Sequence, residues 1–331
     1  MKKVIPSASP TGASEREDRT RPVYRFSGHE TFPFRYSWLP KAVVELTANA
    51  ELFSDDERAM VRLGVGKNMV KAIRFWVQAA GIAAPEQKGL RITDFGRELL
   101  SESEGHDPYL EDIQTLWLIH WKIASNITEP LFAWEFLLNR WQRSDIVRSE
   151  VLSAFMQEAS RMEKQLSEVT LAQHFDTFLH TYVPTRSVKG DVREENLDSP
   201  LVELDLIQKI GEKRSGDGGR LESVYAFNRE AKASISPELF IYCINDYWLA
   251  RGGANAEETL SVRDITVKTG SVGQLFKLPE SDIRERLLTI EEDSEGLFVY
   301  KESAALSQIV RVGSRNPKLL SSIYKGEPIC A

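Results

Sequence analysis

The chain has 331 residues, 42% of them hydrophobic and 27% charged, with a formal net charge of −7. That size and composition suit a soluble globular protein of two or three domains with real cores. Several classes are excluded: there is no apolar run of about 18 residues to span a membrane, and the first residues, MKKVIPSASPTGASERED, lack a signal-peptide core. A cytoplasmic location is therefore expected, and two distant cysteines, Cys243 and Cys330, rule out a disulfide framework or a cysteine-rich zinc site. The acidic balance leaves any nucleic-acid affinity to a local basic surface.

Residues 1–22 mix prolines, serines and charges of both signs, too polar to offset their ordering entropy, and read as a disordered arm. A first domain is expected over 23–104. It opens with YRFSGHETFPFRYSWLPKAVVEL, where six aromatic residues (Tyr24 to Trp38) interleave with Ser27, His29, Glu30, Thr31 and Arg35. The spacing predicts an extended stretch running into a helix from about Leu39. So much aromatic surface pins a loop and its polar groups. His29, Glu30 and Arg35 are thus a candidate site; the plainer alternative is a Glu30–Arg35 pair beside a satisfied core histidine.

From Asp55 to Leu100 the pattern predicts helix, tight turn, helix, hairpin, helix, the order of a winged helix-turn-helix. Gly64-Val65-Gly66 supplies the turn, since glycine accepts the positive φ of a sharp reversal. Val70, Ile73, Trp76, Val77 and Ala80 recur at helical steps, and at about 100° per residue Lys67, Lys71, Arg74 and Gln78 lie opposite them. Gly81 ends this helix, Ile82 to Ile92 form a wing around Glu86-Gln87-Lys88-Gly89, and Thr93 caps a helix burying Phe95, Leu99 and Leu100. One face packs and the other carries cations, as on a recognition helix. The DNA-contacting set expected is Lys67, Asn68, Lys71, Arg74 and Gln78 from the helix, Lys88 and Arg91 from the wing, and Arg35. A solvated face or a protein-binding winged helix are the alternatives. GVGKN is not a phosphate loop: Asn68 follows Lys67, where a Ser or Thr is needed, and position 61 is Val, not Gly.

Residues 105–200 are expected to be a helical domain with a charged loop. Leu110, Ile113, Trp117, Trp121 and Ala124 form one stripe. Thr128 is a candidate cap for the next helix, whose apolar set is Leu131, Trp134, Leu138 and Trp141. His120, among Trp117, Ile119 and Trp121, reads as a buried structural histidine. The loop PTRSVKGDVREENLDSP gathers Asp191, Glu194 and Glu195 beside Arg186, Lys189 and Arg193. Hard-oxygen ligands beside cations are what cation-assisted phosphodiester cleavage needs; a solvated linker has the same composition.

Residues 201–331 are expected to form a second winged-helix-like unit. A helix over Leu201 to Ile210 leads to a hairpin closed by LESVYAFN, with Lys213, Arg214 and Arg220 near a glycine-rich tip. Pro237 starts a helix, Ser261 and Ser281 cap two more, and Leu297 to Tyr300 is a strand. The Arg284/Arg286 helix also holds Asp282, Glu285 and Glu291, so this unit reads as docking or structural. The fold expected is mainly α with small β-hairpins.

The runs FSGHETFPFRYSWLPKAV, LGVGKNMVKAIRFW, ITDFGRELL and DPYLEDIQTLWLIHWKIAS are long, ordered and unusual in composition. Together they resemble the SspB-like family of DNA-nicking proteins from bacterial DNA phosphorothioation (Ssp) systems, first defined as a domain of unknown function. The similarity runs from about Tyr24 to Val312. It implies a DNA-acting subunit working beside a cysteine desulfurase, an ATPase and an ATP-pyrophosphatase-type sulfur-transfer enzyme. No catalytic motif of the family transfers residue by residue.

Two functions follow. The first is a DNA nickase with Mg2+ or Mn2+ and no organic cofactor, for which Asp191, Glu194, Glu195, His29 and Glu30 are the candidate catalytic residues. The second is a non-catalytic adaptor that presents DNA sites to sulfur-transfer partners. Either allows a homodimer, and a plain transcriptional regulator would leave most of the chain unexplained.

Overall fold

A computed structural model describes residues 22–184, 199–214, 219–252, 259–303, 306–312 and 318–325. These residues are mainly helical, with small antiparallel sheets. The aromatic N-terminal stretch is extended, as its spacing predicts, and is tied to the middle of the chain. Arg25 N–H donates to Pro130 O and Phe132 N–H donates to Arg25 O, both at 3.0 Å. Phe26, Phe34 and Trp38 are buried.

Helix α1 spans Trp38–Ala48, α2 Asp56–Leu63 and α3 Lys67–Ala79. A hairpin of β1 (Ala83–Glu86) and β2 (Gly89–Ile92) follows, then α4 (Asp94–Leu100). The caps are those the residue types dictate. The Asp55 carboxylate accepts from the Glu57 and Arg58 N–H groups, and Thr93 Oγ1 accepts from Gly96 N–H. Gly64 ends α2 at φ 68°, but Gly66 enters α3 at φ −75°, so only the first glycine is conformationally required. Asp55→Ala is expected to cost about 1 kcal/mol, read as a lower midpoint in urea at unchanged m-value.

Helix α5 (Ile113–Ala124) is the centre of the protein: nine of its 12 residues are buried, on every side. Asn126, not Thr128, collects the N–H groups after it, accepting from Thr128 and Glu129 at 3.0 Å. Then come α6 (Phe132–Glu135), a π-turn over Phe136–Arg140, the short β3 (Ile146–Val147), α7 (Arg148–Arg161) and α8 (Glu168–Tyr182).

The helix expected over Leu201 to Ile210 does not form. Pro200–Leu204 is a 3-10 turn that ends at Asp205 in the left-handed region, φ 46°, and β4 (Ile207–Arg214) follows. The apolar run satisfied a helix or a strand equally, and pairing decided it: β4 and β3 flank β5 (Leu221–Phe227). Strict alternation along this hairpin fails because its register shifts between Lys209 and Gly211.

Helix α9 (Pro237–Gly252) buries Leu239, Phe240, Cys243, Tyr247 and Trp248, as expected. Strand β6 (Thr259–Ser261) leads to α10 (Val262–Val267), capped by Ser261, then α11 (Val272–Phe276) and α12 (Glu280–Asp293). Ser281 lies inside α12, which starts after Pro279. Strands β7 (Phe298–Glu302) and β8 (Ser307–Arg311) close a sheet of order β6-β8-β7, and α13 (Leu319–Lys325) packs on α9. No helix among the described residues is long and apolar enough to cross a membrane.

Candidate nucleic-acid interface

Helix α3 divides as its periodicity requires. Val70, Ile73, Trp76, Val77 and Ala80 are buried, and Lys67, Asn68, Lys71 and Arg74 are exposed. Trp76 anchors the buried side, its indole N–H donating to Phe32 O at 3.1 Å. Lys67 pairs with Asp56 at 3.1 Å in solvent, a contact worth about 0–1 kcal/mol and easily exchanged for another anion. Lys71 and Arg74 have no carboxylate partner among the described residues. Gln78 is half-buried and donates to Arg74 O at 2.8 Å. On the hairpin Lys88 is exposed, and Arg91 lies 3.7 Å from Glu86. Arg35 is half-buried, its guanidinium carbon 5.4 Å from the Trp38 ring and 5.7 Å from Phe32.

The second feature is the turn at Ser27–Thr31, wedged between α3 and α8. Three of its residues have positive φ: Gly28 at 109°, Glu30 at 48° and Thr31 at 66°. For the β-branched Thr31 that is an outlier, and residues held this way cost about 1–3 kcal/mol each. His29 holds the turn. It is 3% exposed, with its ring edge-on to Phe75 of α3 at 5.6 Å and stacked on His174 of α8 at 5.2 Å.

The hydrogen-bond supply leaves no room for a charged ring in this pair. Ala133 N–H donates to His174 Nε2 at 3.0 Å, which puts the His174 proton on Nδ1, aimed at His29 Nε2 at 3.0 Å. Thr31 N–H donates to His29 Nδ1 at 3.1 Å, with Thr177 Oγ1 at 3.2 Å on the same nitrogen, so the outer nitrogens of both rings face a backbone donor. A third proton has no acceptor. Burial first, and the Arg25 charge second, accordingly push His29 down to about 4; His174, fully enclosed, lies well below the usual histidine range. His29 is thus a core strut rather than a solvent-facing base. Glu30 is half-buried and Thr31 exposed on the outside of the turn.

His120 is the buried structural histidine expected, bonded to Tyr182 Oη at 2.8 Å and to Leu275 O at 3.0 Å. Lys213 does not extend a basic hairpin tip: it is engaged by Glu150 at 2.5 Å and Asp145 at 3.2 Å. Asp191, Glu194 and Glu195 lie outside the described residues. Among the described residues no three His, Cys, Asp or Glu side chains gather as a cation site. Sequence reasoning missed His174, Thr177 and Phe75 as partners of His29. No local pattern links positions 145 residues apart, and Phe75 reads as one more apolar residue of α3.

Two solved SspB structures, one of them bound to magnesium ion, are similar to this chain at TM-scores of 0.75 and 0.72. Each is 25% identical and covers 88% of this chain, the matches spanning 84% and 85% of theirs. A search of curated proteins finds no match. The model of a protein family of unknown function, DUF4007, matches residues 26–324, nearly the whole chain, and to that family the chain belongs.

Proposed function

We propose that the protein binds duplex DNA through α3 and the β1–β2 hairpin, used as a winged helix-turn-helix, and nicks one strand within a DNA phosphorothioation system. The observation that carries the DNA-binding part is the division of α3: a fully buried face behind exposed Lys71 and Arg74, which lack ion-pair partners among the described residues. A helix so placed, followed by a hairpin and a supporting helix, can lie in the major groove with its cations on the phosphates. The likeness to SspB supports the phosphorothioation context. With that context come, as proposals, cysteine desulfurase, ATPase and ATP-pyrophosphatase-type partners and a homodimer.

The nicking step takes Mg2+ or Mn2+ in this proposal. The described residues present no ligand set that fits such an ion. Asp191, Glu194 and Glu195, with Glu30 on the turn, remain the proposed carboxylates. A second reading, a non-catalytic adaptor that presents sites to partner enzymes, is favoured by the enclosure of His29.

Supercoiled plasmid incubated with the purified protein and Mg2+ or Mn2+ is expected to convert to open circle, and a chelator to stop it. D191A/E194A/E195A should then lose at least about 100-fold in rate, the scale on which a catalytic group acts; full activity in that variant removes the loop. Binding without conversion, even with partners added, establishes the adaptor.

A further inference from the structure

We infer that Arg25 is a ligand for a DNA backbone phosphate, seated for that role on Phe75 by the Gly28 turn, with His29 and His174 as positioning residues. The inference rests on the DNA-binding reading of α3 and adds to it a residue outside the helix-turn-helix.

The Arg25 guanidinium carbon lies 4.6 Å from the centroid of the Phe75 ring. Phe75 is one turn along α3 from Lys71 and next to Arg74, so the stack brings a further cation to the flank of the basic face. Among the described residues the Arg25 guanidinium has neither hydrogen bond nor ion pair, and its contact is the ring. Burial lowers its pKa, with Glu129 opposing, and an arginine stays charged regardless. A cation partly withdrawn from water without a counter-ion costs stability until an anion arrives.

The seat is built rather than accidental. The Arg25 backbone is fixed on both sides by the bonds to Pro130 and Phe132. Gly28 stands so close to the ring that a Cβ would lie 2.9 Å from Phe75 Cδ2 and 3.7 Å from Arg25 Nη2, and its φ of 109° is one that glycine adopts freely. His29 meets the same ring edge-on, and His174 locks His29 to the Ala133 backbone. Strain at Glu30 and Thr31 is tolerated so that this layer stays fixed. Beside it Ser27 and Thr31 expose hydroxyl groups, neutral donors that suit phosphate oxygens. A planar guanidinium fork binds such an oxyanion in two places at once, which an ammonium cannot do.

The test is fluorescence anisotropy of a labelled duplex across a salt series with wild type, Arg25→Gln, Arg25→Lys and Lys67→Glu/Lys71→Glu/Arg74→Glu, each checked for an unchanged thermal midpoint. Arg25→Gln is expected to weaken binding about 10-fold and to lower the log–log salt slope by about 0.9. Arg25→Lys keeps the slope and recovers only part of the affinity. Should Arg25→Gln fail to fold, the Arg25→Lys loss at wild-type slope carries the result. Wild-type affinity and slope in Arg25→Gln, with binding lost in the triple variant, overturns the inference and leaves the DNA-binding reading standing. No DNA binding by wild type overturns both. Arg25-dependent capture of polyglutamate in preference to duplex overturns the phosphate assignment.

Discussion

Reversing Lys67, Lys71 and Arg74 to glutamate together is expected to abolish measurable duplex binding at physiological salt while leaving the protein folded. Charge-assisted hydrogen bonds are worth about 1.5–3 kcal/mol each, so three lost contacts amount to roughly 6 kcal/mol, or about 10^4-fold in affinity. Reversal adds repulsion to that loss. Below saturation the log–log salt slope should fall by about 2.7, from about 0.9 per phosphate contact. The fold should survive because all three side chains are exposed, on the side of α3 away from Val70, Ile73, Trp76 and Val77. The one ion pair sacrificed, Lys67 with Asp56, is solvent-exposed and contributes at most about 1 kcal/mol. Gel shift at several salt concentrations, with circular dichroism as the folding control, reads the result. A folded variant that binds like wild type would remove α3 as the DNA-contacting element.

Acid is expected to unfold this protein well before its carboxylates are fully protonated. His29 and His120 are both held down to about 4, and His174 lies well below its ordinary value. The folded state refuses protons that the unfolded chain accepts below about 6.5, so the stabilisation is complete above that pH and is lost as pH falls toward 4. At about 1.4 kcal/mol per unit, a drop from 6.5 to about 4 contributes roughly 3 kcal/mol each for His29 and His120. With His174 added, the total is comparable to the whole stability of a domain, about 5–15 kcal/mol. Nearby cations add to the effect: Arg25 faces His29, and Lys277 and Lys232 face His120, where Leu275 O opposes them by favouring the charged form. The thermal midpoint should be flat from pH 8 to 7 and fall steeply between 6 and 4.5. His120→Gln, which keeps a donor and acceptor without a titrating ring, should make the fall shallower. A midpoint unchanged between pH 7 and 5 would contradict the neutral assignment of all three rings.

Much of the first hundred residues was legible in the sequence because its signals are local. Asp55 and Thr93 cap helices wherever they precede one, and the three- and four-residue steps of Val70, Ile73, Trp76 and Val77 name a buried face with Lys67, Lys71 and Arg74 opposite. His120 declared itself in the same way, as a polar residue inside an apolar helix. The run from Leu201 to Ile210 did not, because a short apolar run satisfies helix and strand alike until β5 pairs with it. The His29 site was legible in composition and not in meaning. The sequence shows a histidine in an aromatic loop; only the meeting of that loop with α3 and α8 supplies Phe75, His174 and Thr177. That meeting turns the histidine from a candidate base into a neutral strut. What this sequence determined by itself was therefore local: caps, turns, the two faces of each helix and the surface charge of α3. Tertiary structure decided which distant groups share a desolvated space, and with it the protonation of the histidines and the seat of Arg25, because burial and hydrogen-bond supply exist only once the chain has closed.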